Sequence, residues 1–186
     1  SRRGYQTYYL PKSGLHLNTT GVYFDLTEVK PTDNPKSPFE IIGDVQLKDT
    51  EIDVVFIRTD PPFDDLYLMH TWLLERCSPN VKVLNSPNGI RTVNEKVWAT
   101  QFTSLVPPTL VSASCKEILS FLDSHKKIVV KPTDGFGGKD IHILELEDEK
   151  INTILSEMTQ DGLRPIISQN FVPESEIGDK RILLLN

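Results

Sequence analysis

Residues 131–139 have the sequence Lys-Pro-Thr-Asp-Gly-Phe-Gly-Gly-Lys, with glycine at three of the four positions 135–138. Glycines this dense let the backbone turn tightly and bring its N–H groups close to a ligand, which suits phosphate oxygens. Apolar runs at residues 128–131 and 141–144 flank the stretch and predict two strands. We therefore expect a loop between two strands that folds over a phosphate group, with Lys131 as a fixed positive charge.

Two well-known phosphate motifs are excluded by their spacing. A P-loop that ends in Gly138-Lys139 needs glycine at position 133 and serine or threonine at 140, but the chain has Thr133 and Asp140. A dinucleotide-binding fingerprint that starts at Gly135 also needs glycine at 140, and it should open a helix. A glycine-rich hairpin with a surface lysine at its base explains the loop equally well, so the loop alone leaves both interpretations open.

A second candidate binding segment is Gln169-Asn170-Phe171-Val172-Pro173, at the end of a strand that we predict over residues 166–172. A strand that ends at a proline leaves backbone groups free to pair with a planar ring edge such as that of adenine. An ordinary edge strand and turn is the alternative. Apolar spacing upstream predicts a helix over residues 150–158 that stops near Gly162, and a last strand is expected over residues 181–185.

The first half of the chain predicts a βαβ unit. Apolar runs at residues 53–57 and 81–84 are typical of strands buried on both faces, and the second is closed by a turn at residues 86–89. The helix between them is expected to bury an apolar stripe of Leu66, Met69, Leu73, Leu74 and Cys77.

Before this unit we predict a hairpin over residues 16–24 and, because of three prolines, a surface loop over residues 30–38. After it we place a domain boundary near residues 90–94. Asn94 is expected to cap a helix that reaches Phe102, and Ser114 to cap the next one.

The composition excludes several classes of protein. The chain has 186 residues, of which 38% are hydrophobic and 25% charged, so we expect a globular core. A formal net charge of −6 is unlike that of a nucleic-acid-binding protein. The two cysteines and four histidines are scattered, which predicts neither a disulfide framework nor a zinc site. No run of eighteen apolar residues exists, so we expect no membrane span.

Several motifs, in order along the chain, resemble those of the bacterial-type glutathione synthetases. Residues 58–64, Arg-Thr-Asp-Pro-Pro-Phe-Asp, resemble the Arg-Lys-Asp-Pro-Pro-Phe-Asp segment of that family. The other matching motifs are Asn85-Ser86-Pro87, Asn94-Glu95-Lys96, Lys131-Pro132-x-Asp134-Gly135-x-Gly137-Gly138, Gln169-Asn170-aromatic and Gly178-Asp179-Lys180-Arg181. The agreement runs from about residue 52 to the end of the chain and is weak before it.

The resemblance implies an α/β protein with two domains. A pre-ATP-grasp βαβ domain would cover residues 1–92, incomplete at its start, and the first part of an ATP-grasp domain would cover residues 93–186, incomplete at its end. It also implies ATP-dependent joining of γ-glutamylcysteine to glycine through an acyl-phosphate, giving glutathione, ADP and phosphate. The parent enzyme would be a cytoplasmic homo-oligomer whose partners are these small molecules, with no nucleic acid and no membrane.

The same resemblance implies roles for individual residues. Two lysines would contact the ATP phosphates, Lys96 and Lys131, and three glycines would form the lid, Gly135, Gly137 and Gly138. The adenine pocket would be lined, largely through backbone, by Gln169, Asn170, Phe171 and Val172. The ribose, the phosphates or the forming acyl-phosphate would face Asp179 and Arg181, of which Arg181 is the candidate catalytic residue. The dipeptide would lie toward Arg58 and Asp60.

The family's Mg²⁺-binding residues are expected beyond Asn186, so we expect the 186-residue piece alone to lack synthetase activity. Thr59 stands where the family has lysine, so this chain lacks that positive charge, and Ser86 is a milder departure. Two alternatives remain open at this point: another ATP-grasp carboxylate–amine ligase, and a non-catalytic nucleotide-binding module.

Overall fold

The computed structural model describes residues 4–135, 137–178, 180 and 182. The chain folds into two compact units, residues 1–92 and residues 93–186. Each unit has its own hydrophobic core.

The first unit contains a four-stranded antiparallel sheet made of β1 (Thr7–Tyr9), β2 (Leu15–Asn18), β3 (Gly21–Asn34) and β4 (Ser37–Lys48). Strand β3 pairs with β4 along one side and with β2 and β1 along the other. The β2–β3 pairing confirms the predicted hairpin over residues 16–24. The core of the unit is formed by Leu15, Val22, Phe24, Leu26, Ile57 and Leu74.

A 3-10 turn at Asp49–Glu51 leads into a parallel pair of strands, β5 (Val54–Phe56) and β6 (Lys82–Leu84). Helix α1 (Asp65–Leu74) connects them, and helix α2 (Pro87–Thr92) ends the unit. The predicted βαβ unit is therefore confirmed. Asp64 caps α1, because its carboxylate accepts a hydrogen bond of 2.9 Å from the Tyr67 N–H.

Two expectations about this βαβ unit are wrong in detail. In α1 the buried residues are Thr71 and Leu74, whereas Leu66 and Met69 of the expected buried stripe are exposed. In β5 the two end residues, Val54 and Phe56, are exposed, so only one face of the strand packs on the core. Apolar residues occur on both sides of each element, so spacing alone could not tell which side faces the core.

Two predicted loops are also wrong. Residues 30–38 belong to the long β3–β4 hairpin. Pro31 is tolerated in β3 because β1 pairs only with Thr27–Val29 and leaves that side of β3 beyond Val29 without a strand. The predicted turn at residues 86–89 is the start of α2, with Pro87 as the first helical residue. Proline is favoured there because its missing N–H would have no partner within the helix.

The second unit is a four-stranded antiparallel sheet in the order β7 (Thr109–Ser112), β10 (Ile166–Asn170), β8 (Lys127–Pro132) and β9 (His142–Glu145). Helices α4 (Cys115–His125) and α5 (Ile151–Thr159) supply Ile118, Leu122, Ile151 and Leu155 to the core beneath this sheet. Helix α3 (Glu95–Trp98) and 3-10 turns at Ala99–Gln101 and Pro173–Ile177 complete the unit.

The glycine-rich stretch joins β8 to β9, which pair antiparallel, as predicted. Asn94 and Ser114 cap α3 and α4, also as predicted, but the helix expected to reach Phe102 stops at Trp98 and continues as a 3-10 turn. Helix α5 ends at Thr159, and the next residue, Gln160, caps it in the left-handed conformation, so Gly162 is not the stop. Strand β7 was not predicted, and all of the expected strand over residues 181–185 except Ile182 lies outside the described residues.

Candidate functional site

The candidate site lies on the face of the second sheet that is turned away from helices α4 and α5. Along β8, Ile128 and Val130 are fully buried in the helix-covered core, so Lys127, Val129 and Lys131 face the other side. Residues directly opposite in an antiparallel pair share a face, and β10 sets Ile167 opposite Lys131 and Gln169 opposite Val129. Because side chains alternate between the two faces along each strand, Lys131 and Gln169, which come from separate motifs, lie on one surface.

Lys131 is half-buried and is held by a side-chain hydrogen bond. Its Nζ donates to Gln169 Oε1 at 3.1 Å, and Gln169 Nε2 in turn donates to Thr109 Oγ1 at 2.8 Å. Burial lowers the pKa of Lys131 from its ordinary value, and the charge of Lys96 lowers it further. The two lysines are therefore close enough for their charges to interact, although residues 97–130 separate them in the chain.

Helix α3 positions Lys96 next to the glycine loop. Asn94 caps this short helix, because its Oδ1 accepts hydrogen bonds of 3.0 Å from the N–H groups of Lys96 and Val97. The Asn94 amide also donates to the carbonyl of Thr133 at 3.2 Å, and Lys96 Nζ donates to the carbonyl of Gly135. The Asn-Glu-Lys motif thus ties the start of α3 to the glycine loop at two points.

The loop itself depends on glycine for two separate reasons. Gly137 and Gly138 have φ values of +64° and +74°, in the left-handed region that favours glycine. At Gly135 an added Cβ would lie 2.5 Å from Cγ of Pro132, so the backbone there runs too close to the proline ring for a side chain. Phe136, between them, lies outside the described residues.

The end of β10 is more fully bonded than the sequence suggested. The Asn170 N–H donates to the Pro108 carbonyl at 2.9 Å, and the Phe171 N–H donates to the Lys127 carbonyl at 3.2 Å. Two backbone donors expected to be free for a ring edge are therefore used inside the unit. Lys127 makes a cation–π contact with Phe171, since its Nζ lies 4.4 Å from the centroid of the ring.

The structure brings Lys96, Lys131, Gly135 and Gln169 into one connected network. Arg58 and Asp60 belong to the first unit, where both are exposed in the segment between β5 and α1. Asp179 and Arg181 lie outside the described residues. Two contributors were missed: Thr109, which fixes the Gln169 amide, and Arg164, which pairs with Asp134 at 2.5 Å at the base of the glycine loop. The β-branched residues Thr109 and Val111 were the sequence signal that could have predicted strand β7.

A cavity of about 370 Å³ opens on the other side of β8, behind the glycine loop, where its walls include Pro132, His142, Met158 and Arg164. It does not include Lys131 or Gln169, so it is separate from the lysine-bearing face. Among the described residues, no three His, Cys, Asp or Glu side chains lie close enough together to hold a metal ion. The described residues also contain no helix with the length and hydrophobicity needed to cross a membrane.

Comparisons with known proteins match both units. The prokaryotic glutathione synthetase N-terminal domain family matches residues 1–91, and the prokaryotic glutathione synthetase ATP-grasp domain family matches residues 95–186. Glutathione synthetase of Vibrio parahaemolyticus is 33% identical over 186 residues, which are 100% of this chain and 59% of that protein. The Pseudomonas aeruginosa glutathione synthetase is 34% identical over 185 residues, 99% of this chain and 58% of that protein. The chain thus spans less than three fifths of the length of these relatives.

Solved structures show the same fold at lower sequence identity. D-cycloserine synthetase DcsG aligns with a TM-score of 0.51 and 19% identity, covering 68% of this chain and 46% of its own. Macrocyclase MdnC of Microcystis aeruginosa, bound with its precursor peptide, aligns with a TM-score of 0.50 and 17% identity, covering 78% of this chain and 53% of its own. Together these matches confirm the expected α/β fold, an N-terminal domain followed by an ATP-grasp domain. The chain belongs to the prokaryotic glutathione synthetase family.

Proposed function

We propose that the enzyme containing this chain ligates γ-glutamylcysteine to glycine with ATP, giving glutathione, ADP and phosphate. One observation carries the proposal: Lys96, the motif that contains Lys131 and the glycine loop, and Gln169 come from three separate motifs and converge on one side of the second sheet. This convergence, together with membership of the family, favours phosphoryl-transfer chemistry, in which positioned cations stabilise charge spread over phosphate oxygens.

The two lysines are the groups that we assign to the ATP phosphates. The hydrogen bonds of their ammonium groups go to a neutral backbone carbonyl and a neutral side-chain amide, and the two charges repel each other. A phosphate anion placed between them would relieve this repulsion and restore the pKa of Lys131. Gly135, Gly137 and Gly138 would then close over the phosphates as a lid.

We assign the adenine ring to the end of β10, from Gln169 to Val172. Since the N–H groups of Asn170 and Phe171 are used inside the unit, the ring edge would pair with backbone groups beyond them. The Phe171 ring and the cation of Lys127 above it lie at the same end of the strand. Asp179 would face the ribose or the phosphates.

In the proposed reaction the terminal phosphoryl group of ATP passes to the cysteine carboxylate of γ-glutamylcysteine, and the bond to the leaving ADP oxygen breaks. The glycine nitrogen then attacks the acyl carbon and loses a proton, while the acyl carbon–oxygen bond breaks and phosphate leaves. Arg181 would stabilise the acyl-phosphate, and Arg58 and Asp60 would hold the dipeptide. The family typically uses Mg²⁺, but the described residues form no acidic cluster that fits it, so we assign no step of this chain to the metal.

A substrate test of the complete enzyme decides between this proposal and its alternatives. We expect ADP release only when γ-glutamylcysteine and glycine are both present, with glutathione identified by mass spectrometry. Turnover with a different carboxylate and amine, and none with this pair, would show another ATP-grasp ligase. Binding of ATP without turnover of any such pair would indicate a nucleotide-binding module.

A further inference from the structure

A chain of hydrogen bonds crosses three neighbouring strands of the second sheet and ends at Lys131. Strand β10 lies between β7 and β8, and Gln169 on β10 is directly opposite Thr109 on β7. Lys131 Nζ, on β8, donates to Gln169 Oε1 at 3.1 Å, and Gln169 Nε2 donates to Thr109 Oγ1 at 2.8 Å. The Thr109 hydroxyl in turn donates to the Pro107 carbonyl at 2.8 Å. The Gln169 amide therefore links Lys131 to a hydroxyl on β7.

Both ends of this chain fix the direction of its hydrogen bonds. An ammonium group can only donate, so the Gln169 atom beside Lys131 must be the amide oxygen. The Thr109 hydroxyl uses its only hydrogen on the Pro107 carbonyl, so toward Gln169 it can only accept, and the Gln169 atom beside it must be the NH₂ group. One orientation of the amide thus satisfies both neighbours, and the reverse orientation satisfies neither.

Partial burial makes this orientation matter for Lys131. Lys131, Gln169 and Thr109 are all partly buried. Burial removes part of the hydration of the Lys131 ammonium group, so the oxygen that it meets inside the protein takes the place of water. Gln169 Oε1 accepts one of the three ammonium hydrogens, and the geometry of that bond sets where the other two point.

We propose that Thr109 is a positioning residue of the phosphate site: it orients the Gln169 amide, and the amide holds the Lys131 ammonium group toward the ATP phosphates. This inference rests on the proposed function, which assigns Lys131 to those phosphates. Thr109 acts on the nucleotide only through Gln169 and Lys131. Without its hydroxyl the amide is free to reverse, and its NH₂ group would then face the ammonium group and push Lys131 away.

Substitutions at Thr109 in the complete enzyme test the positioning role. Thr109→Val keeps the branched shape of the side chain and removes the hydroxyl. We expect it to raise the KM for ATP by about fivefold, the effect of losing one neutral hydrogen bond, and to change kcat less than KM. Thr109→Ser keeps the hydroxyl and should restore most of the wild-type KM. The Tm of each variant checks folding, and Thr109→Ala, which also lacks the hydroxyl, replaces Thr109→Val if that variant does not fold.

A matched control and a combined variant separate positioning from a general disturbance of the fold. Thr153→Val makes the same chemical change at an exposed position of α5 and should leave the KM for ATP unchanged. In the Lys131→Ala background, Thr109→Val should raise the KM by less than about twofold, because the group that it positions is gone. An equal rise in both backgrounds, or a Thr109→Ser variant as impaired as Thr109→Val, would overturn the positioning role.

The same series distinguishes failure of this inference from failure of the proposed function. A KM for ATP can be measured whichever carboxylate and amine the enzyme joins, so a different substrate pair would overturn the ligase assignment and leave this test intact. If Lys131→Ala raises the KM and Thr109→Val does not, the positioning role is wrong and the phosphate site stands. If neither variant changes the KM, both the positioning role and the phosphate assignment of Lys131 are wrong.

Discussion

The sheet of the second unit has two faces built from alternate residues of the same strands, and they differ in kind. On β8, Ile128 and Val130 are fully buried under α4 and α5, whereas Lys131 on the other face is half-buried and keeps an ammonium group beside Gln169. The helix-covered face stabilises the fold through apolar burial. The lysine-bearing face holds the desolvated ammonium group of Lys131, which the charge of Lys96 repels, and this is unfavourable for stability and favourable for binding an anion.

Strand β9 offers the largest contrast between the two faces. Leu144 is fully buried and its neighbour Ile143 is 50% exposed on the opposite side. We expect Leu144→Ala to lower the free energy of unfolding by about 2–5 kcal/mol, because the change leaves a cavity in the core. Ile143→Ala should cost roughly 1 kcal/mol or less. Urea unfolding of both variants is the measurement, and equal costs would break the distinction between the faces.

The glycine loop, which extends from the lysine-bearing face, should be the next most sensitive. We expect Gly135→Ala to destabilise the chain by about 1–3 kcal/mol, because the added methyl group overlaps the Pro132 ring. Gly43→Ala is the matched control, since a Cβ at that position meets nothing within 4 Å. Thermal unfolding of both variants compares them, and a Gly135→Ala variant as stable as its control would show that the loop has room for a side chain.

Asn94 combines a helix cap with a tether to the loop, and two substitutions separate these roles. Asn94→Ala should cost about 1 kcal/mol through the lost cap and also release the loop. Asn94→Asp keeps the capping oxygen and loses the amide that donates to Thr133. We therefore expect near-native stability and faster hydrogen exchange in residues 133–138 for the aspartate variant. Unchanged exchange in both variants would mean that the tether does not order the loop.

The smallest expected effect is a pH dependence at Lys131. Its folded-state pKa lies below the ordinary value of 10.5, so at pH 7 the folded state carries the full cost of a desolvated charge. That cost falls as pH rises through the folded-state pKa and is gone above the unfolded value. Lys131→Met should therefore be slightly more stable than the wild type at pH 7, with a Tm difference that shrinks toward pH 10.5. A difference that grows with pH would contradict the lowered pKa.

The sequence predicted the elements that depend on local signals. The glycine loop between two strands, the Asn94 and Ser114 caps and the individual elements of the βαβ unit are each encoded by short stretches of sequence, and the structure has all of them. No local sequence signal predicted that Lys96 lies near Lys131. Only a resemblance to a family placed both residues at the same phosphates.

What could not be predicted depends on pairing between distant residues. Pro31 suggested a loop, but it lies in β3 because β4 pairs with that strand along almost its whole length. Leu66 and Met69 matched a buried stripe, yet Thr71 is buried instead, because its Oγ donates to the Leu68 carbonyl and accepts from Arg91. In each case a tertiary partner decided the outcome, and the spacing of residues does not name that partner.

The central claim is that Lys131 meets the nucleotide phosphates, and a substitution in the complete enzyme tests it most directly. We expect Lys131→Ala to raise the KM for ATP by at least about tenfold, the effect of losing one charge-assisted hydrogen bond, with no loss of Tm. Lys126→Ala is the matched control, because Lys126 is exposed at the end of α4 and pairs with Asp123. A KM for ATP that is the same in the Lys131→Ala variant, the control and the wild type would contradict the claim.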